Sequence, residues 1–230
     1  MRPGVQHNSC PLISVVIPTY NASRFLADAV TSVRQQGYNP LEVIVVDDGS
    51  TDETRRMAAD WPDVTYIYQQ NRGASEARNT GIKAATGSLL AFLDSDDLWL
   101  PDHLRLLLRP LTLNPDAQFV WGTSRVVQFD SDSGQQEKVL DEAWPGFLIG
   151  AGLYRREAFD RVGLYDSDLQ ICHDTDWYAR ARHLGVVDIQ ISDQVLVYRR
   201  RAEGLTGNTE VQRVDMLSMV RRSINRQRAA

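Results

Sequence analysis

The chain has 230 residues, a hydrophobic fraction of 43%, a charged fraction of 24% and a net charge of −5. This composition is typical of a globular protein of ordinary solubility and gives no reason to expect a nucleic-acid partner. Its two cysteines indicate neither a disulfide framework nor a zinc site. No run resembles a signal peptide or is long enough to span a membrane, so a cytoplasmic location is expected.

Apolar runs and helical spacings alternate along the first hundred residues. Short apolar runs at residues 12–17, 41–46, 64–68 and 89–93 predict strands, and the run at 89–93 is of the kind that a strand buried on both faces shows. Helices are predicted at 23–36, 52–60 and 74–85, with Ser23 as the cap of the first. Pro18 is expected to end the first strand. The alternation predicts an α/β fold with a parallel sheet and right-handed crossovers.

Polar residues follow three of the four predicted strands. The carboxyl ends of parallel strands meet at one edge, where open α/β sheets bind their ligands. A lone aspartate at the end of an early strand can accept hydrogen bonds from ribose hydroxyls or a base N–H. The residues expected at this edge are Pro18, Thr19, Tyr20, Asn21, Asp47, Asp48, Asp94, Ser95 and Asp96.

The acidic run after the fourth predicted strand indicates a cation site. Asp94, Asp96 and Asp97 place three like charges within four positions, and these repel each other unless a cation lies among them. Mg²⁺ or Mn²⁺ prefers oxygen ligands and is usually held by one or two carboxylates together with substrate phosphates. We therefore predict a divalent cation at Asp94 and Asp96. The alternative is a solvated loop that caps the next helix, which is the role expected of Asp97.

Phosphate-binding loops of the common types are absent from the sequence. Neither GxGxxG nor GxxxxGK[ST] follows the first predicted strand, which argues against a dinucleotide fold and a P-loop enzyme. Phosphate charge would then have to be met by the cation and by Arg72 or Arg78. Both arginines are equally compatible with an exposed helix face.

Four successive motifs resemble those of the family 2 inverting glycosyltransferases with the GT-A fold. They are PTYN at 18–21, VDDGSTD at 46–52, NRG and ARN within 71–79, and DSDD at 94–97. The resemblance extends over residues 12–198. It implies a Rossmann-like, mostly parallel sheet flanked by helices, with a mixed acceptor-side half. It also implies transfer of a sugar from a nucleotide-diphosphate sugar to an acceptor hydroxyl with a divalent metal.

The same resemblance implies roles for single residues. Thr19 and Asp48 would contact the nucleoside, and Arg78 would lie near the diphosphate. Residues 94–96 would form the DxD motif, with Asp96 rather than Asp94 as the direct metal ligand. The expected cofactor is Mn²⁺ or Mg²⁺, and the expected donor is a UDP-sugar. The implied nucleotide-sugar-binding residues are Pro18, Thr19, Tyr20, Asn21, Asp47, Asp48, Gly73, Arg78, Asp94 and Ser95.

The second half of the chain contains the candidate base. It adds a predicted helix at 104–113, a strand at 117–129 and a polar loop at 130–137. That loop is interpreted as a hairpin connection, and a loop that closes on the donor is the alternative. Asp174 opens a helix at 174–183, where capping and the helix dipole alone favour an acidic residue. The resemblance implies instead that Asp174 is the general base on the acceptor hydroxyl.

Two positions depart from the family pattern. His173 stands where relatives usually have glutamate, so its role is left open, and Arg201 stands near a position where relatives often have histidine. Arginine cannot be a metal ligand. Arg201 would either bind the leaving phosphates directly or belong to a basic surface run.

We predict one domain at residues 12–200, with a nucleotide-sugar-binding half at 12–97 and an acceptor-side half at 98–200. A short tail at 1–11 and a basic tail at 201–230 flank it. From Arg199 to the end, eight arginines and three carboxylates give a net charge of +5, which leaves −10 on the rest of the chain. The apolar stripe at 211–224 is interrupted by arginines, so a packed or partly disordered helix is favoured. Contact with the inner face of a membrane and a homodimer are the further hypotheses.

Three function classes fit these features. An inverting glycosyltransferase that acts on a saccharide, lipid-linked or protein acceptor explains all the motifs together. A phosphohydrolase of the haloacid dehalogenase type also has a DxD after a strand, but there it follows the first strand, and here three predicted strands precede the strand that it follows. A nucleotide-sugar-binding protein that has lost activity is the third class. Asp96 and Asp174 argue against it, whereas His173 and Arg201 keep it open.

Overall fold

The computed structural model describes residues 10–129, 138–169 and 171–201. In this part of the chain, one nine-stranded sheet is covered by helices on both faces. The strands are β1 Ile13–Thr19, β2 Leu41–Asp47, β3 Val64–Tyr68, β4 Leu89–Phe92, β5 Leu98–Trp99, β6 Phe119–Phe129, β7 Lys138–Trp144, β8 Gly152–Arg155 and β9 Asp188–Arg201. The helices are α1 Leu26–Arg34, α2 Thr54–Ala59, α3 Ala74–Ala84, α4 His103–Leu113, α5 Arg156–Val162 and α6 His173–His183, and a short 3₁₀ helix spans Ile149–Ala151.

The strand order determines which loops share an edge. Along the sheet the order is β3-β2-β1-β4-β8-β6-β9-β5, and β7 pairs with β6 off this path. Strands β1 to β4 are parallel, so the loops after β1, β2 and β4 lie at one edge. Strand β8 is antiparallel to β4 and β6, whereas β6 runs parallel to β9. The predicted α/β fold with a parallel first half and a mixed second half is confirmed.

Pro18 lies inside β1, so the prediction that it ends the strand is wrong. Pairing of β1 with β2 continues to Thr19, whereas pairing with β4 stops at Val16. The Thr19 carbonyl accepts from Asp48 on the β2 side at 2.8 Å, and the Val16 carbonyl accepts from Leu93 on the β4 side at 3.1 Å. Backbone groups alternate in direction along a strand. The nitrogen of Pro18 therefore faces the β4 side, where the ladder has already ended and no donor is required.

Both faces of the sheet are buried, because successive side chains of a strand point to opposite faces. Ile13, Val15 and Ile17 pack with α1 and α4 on one face, and Val16 packs with α3 on the other. A Cβ atom added to Gly81 of α3 would lie 2.2 Å from Cγ1 of Val16. The absence of a side chain at Gly81 therefore allows α3 to lie close to β1.

The predicted cap of the first helix is also wrong. Helix α1 begins at Leu26, three residues after Ser23, and no side chain caps it. The N–H of Ser23 donates instead to Oδ2 of Asp52 at 3.0 Å. This bond holds the segment between β1 and α1 against the loop that follows β2.

Several predictions concern residues outside the described ranges. The loop at 130–137 and the basic tail at 202–230 both lie there, as do residues 1–9. The hairpin or closing role of the loop, and the membrane contact of the tail, therefore stay predictions. Among the described residues, no helix combines the length and the apolar character needed to cross a membrane.

Candidate active site

The loops after β1 and β2 are joined by hydrogen bonds to Asn21. Its Oδ1 accepts from the N–H of Thr51 at 2.8 Å, and its own N–H donates to Oγ of Ser50 at 2.9 Å. Asn21 has a φ of 48°, in the left-handed region that asparagine tolerates better than most residues. It therefore joins the loops after β1 and β2 at the strand-end edge. The neighbouring Tyr20 is 51% exposed.

Thr19 provides a buried hydroxyl at the same edge. Its side chain is 3% exposed, and its Oγ1 has no hydrogen-bond partner among the residues that the structure describes. An unsatisfied buried hydroxyl costs free energy unless water or a ligand completes it. Thr19 is therefore suited to contact a ligand, whereas Pro18 contributes only backbone to the end of β1.

Asp47 and Asp48 are buried and organise loops. Asp47 accepts from the N–H of Ser50 at 2.8 Å and from the hydroxyl of Tyr66 at 2.5 Å. Asp48 accepts from the backbone N–H groups of residues 72 and 73 at 2.9 and 2.8 Å, and from Nε2 of Gln69 at 2.7 Å. Every carboxylate oxygen of this pair thus has a donor, a structural role that the sequence did not reveal. A nucleoside contact of Asp48, which stays a prediction, would have to share one of these oxygens.

The backbone conformation at position 73 favours glycine. Its φ of 90° lies in the left-handed range that glycine adopts without strain, and its N–H is aimed at Asp48. Arg72, beside it, is 64% exposed and pairs with Glu76 at 3.5 Å. Arg72 and Arg78 were the two arginines expected to balance phosphate charge. Of these, Arg72 is the exposed one, just before the start of α3.

The acid loop, residues 94–97, follows β4 at the strand-end edge. Asp94 is 39% exposed and forms an ion pair with Arg78. Ser95 is buried and Asp96 is half-buried. Asp97 was predicted to be a solvated helix cap, and this is wrong. It is 4% exposed and accepts a hydrogen bond of 2.8 Å from the N–H of Arg199 in β9.

The acid loop concentrates negative charge. Burial, and then the charges of Asp96 and Asp94, raise the pKa of Asp97 well above its ordinary value. Within the described ranges, no group of three or more His, Cys, Asp or Glu side chains could hold a metal ion. A cation bound by Asp94 and Asp96 would therefore need further oxygen ligands from phosphates and water, as Mg²⁺ and Mn²⁺ commonly have.

Arg78 is the buried cation of the site. Its side chain is 2% exposed, and its two terminal nitrogens contact separate parts of the chain. Nη2 pairs with Oδ1 of Asp94, and Nη1 lies 2.6 Å from Nε2 of His173. The guanidinium also lies over the ring of Tyr165, 5.9 Å from its centroid. Arg78 thus connects the acid loop with the start of α6.

Other polar residues of α3 hold the segment that leads into α6. Oγ of Ser75 donates to the carbonyl of Leu169 at 3.1 Å. The Asn79 amide donates to the carbonyl of Tyr165 at 3.0 Å and accepts from its N–H at 2.9 Å. Ser75, Arg78 and Asn79 are spaced three and four residues apart, so they share one helix face. That spacing of polar residues was the signal that could have indicated this buried polar face.

Asp174 lies at the start of α6, close to Arg78. Its Oδ2 accepts from the N–H of Ile149 at 3.0 Å, and its Oδ1 has no hydrogen-bond partner in the described part of the chain. Its side chain is 15% exposed. Burial raises the pKa of Asp174, while the charge of Arg78 and the Ile149 N–H act in the opposite direction. A carboxylate with one oriented and one unpaired oxygen could accept a proton, and the general-base role of Asp174 stays a prediction.

Comparisons with known proteins identify the family to which the chain is similar. The profile of the family described as "Glycosyl transferase family 2" matches residues 14–183. An uncharacterized glycosyltransferase of Rickettsia prowazekii is 30% identical over 221 residues, covering 89% of this chain and 69% of that protein. The Escherichia coli protein WfgD, a UDP-Glc:α-D-GlcNAc-diphosphoundecaprenol β-1,3-glucosyltransferase, is 34% identical over 171 residues, covering 73% of this chain and 67% of WfgD.

A solved structure shows the same fold. The mannosyltransferase PcManGT from Pyrobaculum calidifontis, in complex with GDP-Man and Mn²⁺, superposes with a TM-score of 0.73 at 23% identity. The match covers 95% of this chain and 65% of that one, so this chain spans about two thirds of the solved protein. The expected GT-A architecture is thereby confirmed.

Proposed function

Because this chain belongs to glycosyl transferase family 2, we propose that it transfers a sugar from a nucleotide-diphosphate sugar to an acceptor hydroxyl with inversion at the anomeric carbon. The observation that carries the proposal is Asp174, which has one oxygen oriented by Ile149 and the other unpaired among the described residues. Arg78 contacts both His173, the residue before Asp174, and Asp94 of the acid loop. A base and a site for the leaving diphosphate are the two parts that a single displacement needs.

In the proposed reaction, the acceptor hydroxyl attacks the anomeric carbon from the side opposite the leaving group. The new bond between the acceptor oxygen and the anomeric carbon forms as the bond to the terminal phosphate oxygen breaks. The nucleoside diphosphate leaves with the bonding electron pair, and the hydroxyl proton passes to Oδ1 of Asp174. A single displacement without a covalent sugar intermediate inverts the anomeric configuration.

Two opposing influences suit Asp174 to this role. Burial raises its pKa, which makes the ionised carboxylate a stronger proton acceptor. The neighbouring charge of Arg78 stabilises the ionised form and so opposes this rise of the pKa. The N–H of Ile149 holds Oδ2 and thereby orients Oδ1.

The donor proposal rests on the strand-end edge and on the relatives. WfgD is named for UDP-Glc, and PcManGT holds GDP-Man, so nucleotide-diphosphate sugars are the donor class. We propose a UDP-sugar here, with the nucleoside at Thr19, Tyr20 and the loop held by Asp48, and the diphosphate at the acid loop. The acceptor is proposed to be a saccharide, a lipid-linked saccharide or a protein.

Asp96 and Asp94 would hold the divalent cation. Asp94 has one oxygen bound to Arg78 and offers the other, and Asp96 is half-buried beside it. When bound, Mn²⁺ or Mg²⁺ supplies positive charge that stabilises the charge developing on the leaving diphosphate. Asp97 remains committed to the N–H of Arg199.

The alternatives make different predictions. A phosphohydrolase of the haloacid dehalogenase type is disfavoured by the family and by the position of the acid loop after β4, the fourth strand in chain order. A binding protein without activity would keep donor affinity and form no product. Product formation therefore distinguishes it from a transferase.

The test is a donor screen followed by a transfer assay. UDP- and GDP-sugars with Mn²⁺ are ranked by their protection against thermal unfolding, since a ligand that binds the folded state raises the Tm. The best donor is then incubated with saccharide and lipid-linked acceptors, and the anomeric configuration of the product is read by NMR. An inverted product supports the proposal. Donor protection without product from any acceptor would indicate the binding protein, and retained configuration would exclude the single displacement.

A further inference from the structure

The contact between Arg78 and His173 determines the charge of the His173 imidazole and which ring nitrogen carries its proton. A guanidinium has only donors, so at 2.6 Å from Nη1 of Arg78 the Nε2 atom of His173 must accept the hydrogen bond. An imidazole that accepts at Nε2 is neutral and carries its proton on Nδ1. This interaction joins α3 to the first residue of α6, across 95 positions of sequence.

A buried guanidinium needs partners on more than one side. Arg78 is 2% exposed, and removing one partner of a buried charge leaves it poorly compensated. Asp94 contacts Nη2 and His173 contacts Nη1, so the two residues together define where the planar group lies. Loss of the His173 acceptor would allow Arg78 to rotate and would move the Asp94 oxygen bound to it.

We propose that His173 is a positioning residue: its neutral Nε2 holds Arg78, which orients Asp94 and keeps the guanidinium charge within reach of Asp174. The inference rests on the proposed function, because it assigns His173 a part in that reaction. Its Nε2 lies 3.4 Å from Oδ1 of Asp174, so a carboxylate at position 173 would add a like charge beside the base. A neutral acceptor avoids that charge and leaves the charge of Arg78 to Asp94 and Asp174.

The groups that face His173 come from four parts of the fold. Arg78 approaches from α3 and brings Asp94 of the acid loop with it. The Tyr165 ring, from the segment before α6, lies 6.1 Å away edge-on, and Asp174 is the next residue of α6. A change of charge at position 173 would therefore affect each of these groups.

Substitutions at position 173 distinguish the effect of a hydrogen-bond acceptor from the effect of a negative charge. H173Q offers a neutral acceptor, H173E a charged one, and H173L none. H183L makes the same change at an exposed histidine in the last turn of α6 and is the matched control. We expect H173Q and H183L to keep most of the wild-type kcat and H173L to lose about 10²-fold, as for a misplaced reacting group. H173E should move the acid limb of the pH profile to higher pH, because it raises the pKa of Asp174.

A measurement without catalysis tests the contact itself. In ¹⁵N-histidine NMR, His173 is expected to carry its proton on Nδ1 and to lose this preference in R78M. His103 is an internal reference, since its Nδ1 lies 2.9 Å from the Val195 carbonyl and must donate to it. A proton on Nε2 of His173 would overturn the contact, and wild-type kcat in H173L would overturn the positioning role. A wild-type protein that transfers no sugar would overturn the proposed function, and the NMR result would still decide whether His173 holds Arg78.

Discussion

Asp97 and Arg199 are joined by a hydrogen bond of 2.8 Å, in which the backbone N–H of Arg199 donates to Oδ1 of Asp97. The two residues are 102 positions apart, and the bond ties the end of β9 to the acid loop. The same carboxylate lies beside Asp94 and Asp96, whose charges contribute to raising its pKa. Asp97 therefore joins β9 to the acid loop, although the charges of Asp94 and Asp96 disfavour its ionised form.

Asparagine and alanine at position 97 should have different effects on stability. D97N keeps an oxygen acceptor for the Arg199 N–H and removes a charge, whereas D97A removes the acceptor of this part-buried N–H. We expect D97A to be less stable than D97N by about 1–3 kcal/mol in the free energy of unfolding, measured by urea denaturation. D116A, at an exposed aspartate, is the control and should change stability by less than about 0.5 kcal/mol. Equal stability of D97A and D97N would contradict this role of the bond.

The close approach of α3 to β1 is tested at Gly81. A Cβ atom there would lie 2.2 Å from Cγ1 of Val16, so G81A must move the helix or the strand. We expect G81A to destabilise the protein by about 1–3 kcal/mol through overpacking. In the G81A/V16A double variant, the removed methyl groups make room, so its destabilisation should be smaller than the sum of the two single effects. Additive effects would show that the helix relaxes without regard to Val16.

Asp174 should make the stability of the protein depend on pH. The unfolded carboxyl has a pKa of about 3.9, and burial raises the pKa of Asp174 in the folded state. Between these two values the folded state binds more protons. The stabilising contribution is therefore fully present below the unfolded pKa and is lost as the pH rises through the folded pKa.

The Tm of the wild type minus that of D174N should accordingly fall as the pH is raised above about 4, the pKa of the unfolded carboxyl. Scanning fluorimetry at several pH values measures this difference, and D60N, at an exposed aspartate, is the control. A difference that stays constant or grows with pH would show that the pKa of Asp174 is not raised. In the transfer assay, D174N should also lower kcat by about 10²-fold or more.

Local patterns predicted the strands and the residues that follow them. Runs such as 89–93 are short and apolar, and a buried strand is the element that such runs favour, so the edge that carries Asp48 and Asp94 could be located. The roles of Asp97 and His173 could not be located in this way. Each depends on a partner about a hundred positions away, Arg199 or Arg78, and sequence spacing carries no information about that distance.

The predicted end of β1 failed for a related reason. Proline is unfavourable in a strand because it lacks a donor, but the cost arises only where a neighbouring strand needs that donor. Pairing of β1 with β4 stops at Val16, so Pro18 is tolerated in the strand. The register of β4 relative to β1 decides this outcome, and register is a property of the assembled sheet.

The cation proposal is tested at Asp96, which is half-buried in the acid loop and is not the carboxylate that Arg78 holds. D96A should weaken Mn²⁺-dependent binding of UDP by at least about tenfold, because a cation with few protein ligands depends strongly on each of them. Isothermal titration with and without Mn²⁺ separates this effect from binding of UDP alone, which should change little. D116A is the control for removal of a carboxylate, and the Tm of each variant shows whether the fold is kept. If D96A binds UDP with wild-type dependence on Mn²⁺, Asp96 is not a cation ligand, and the charges of the acid loop must be balanced by protein groups.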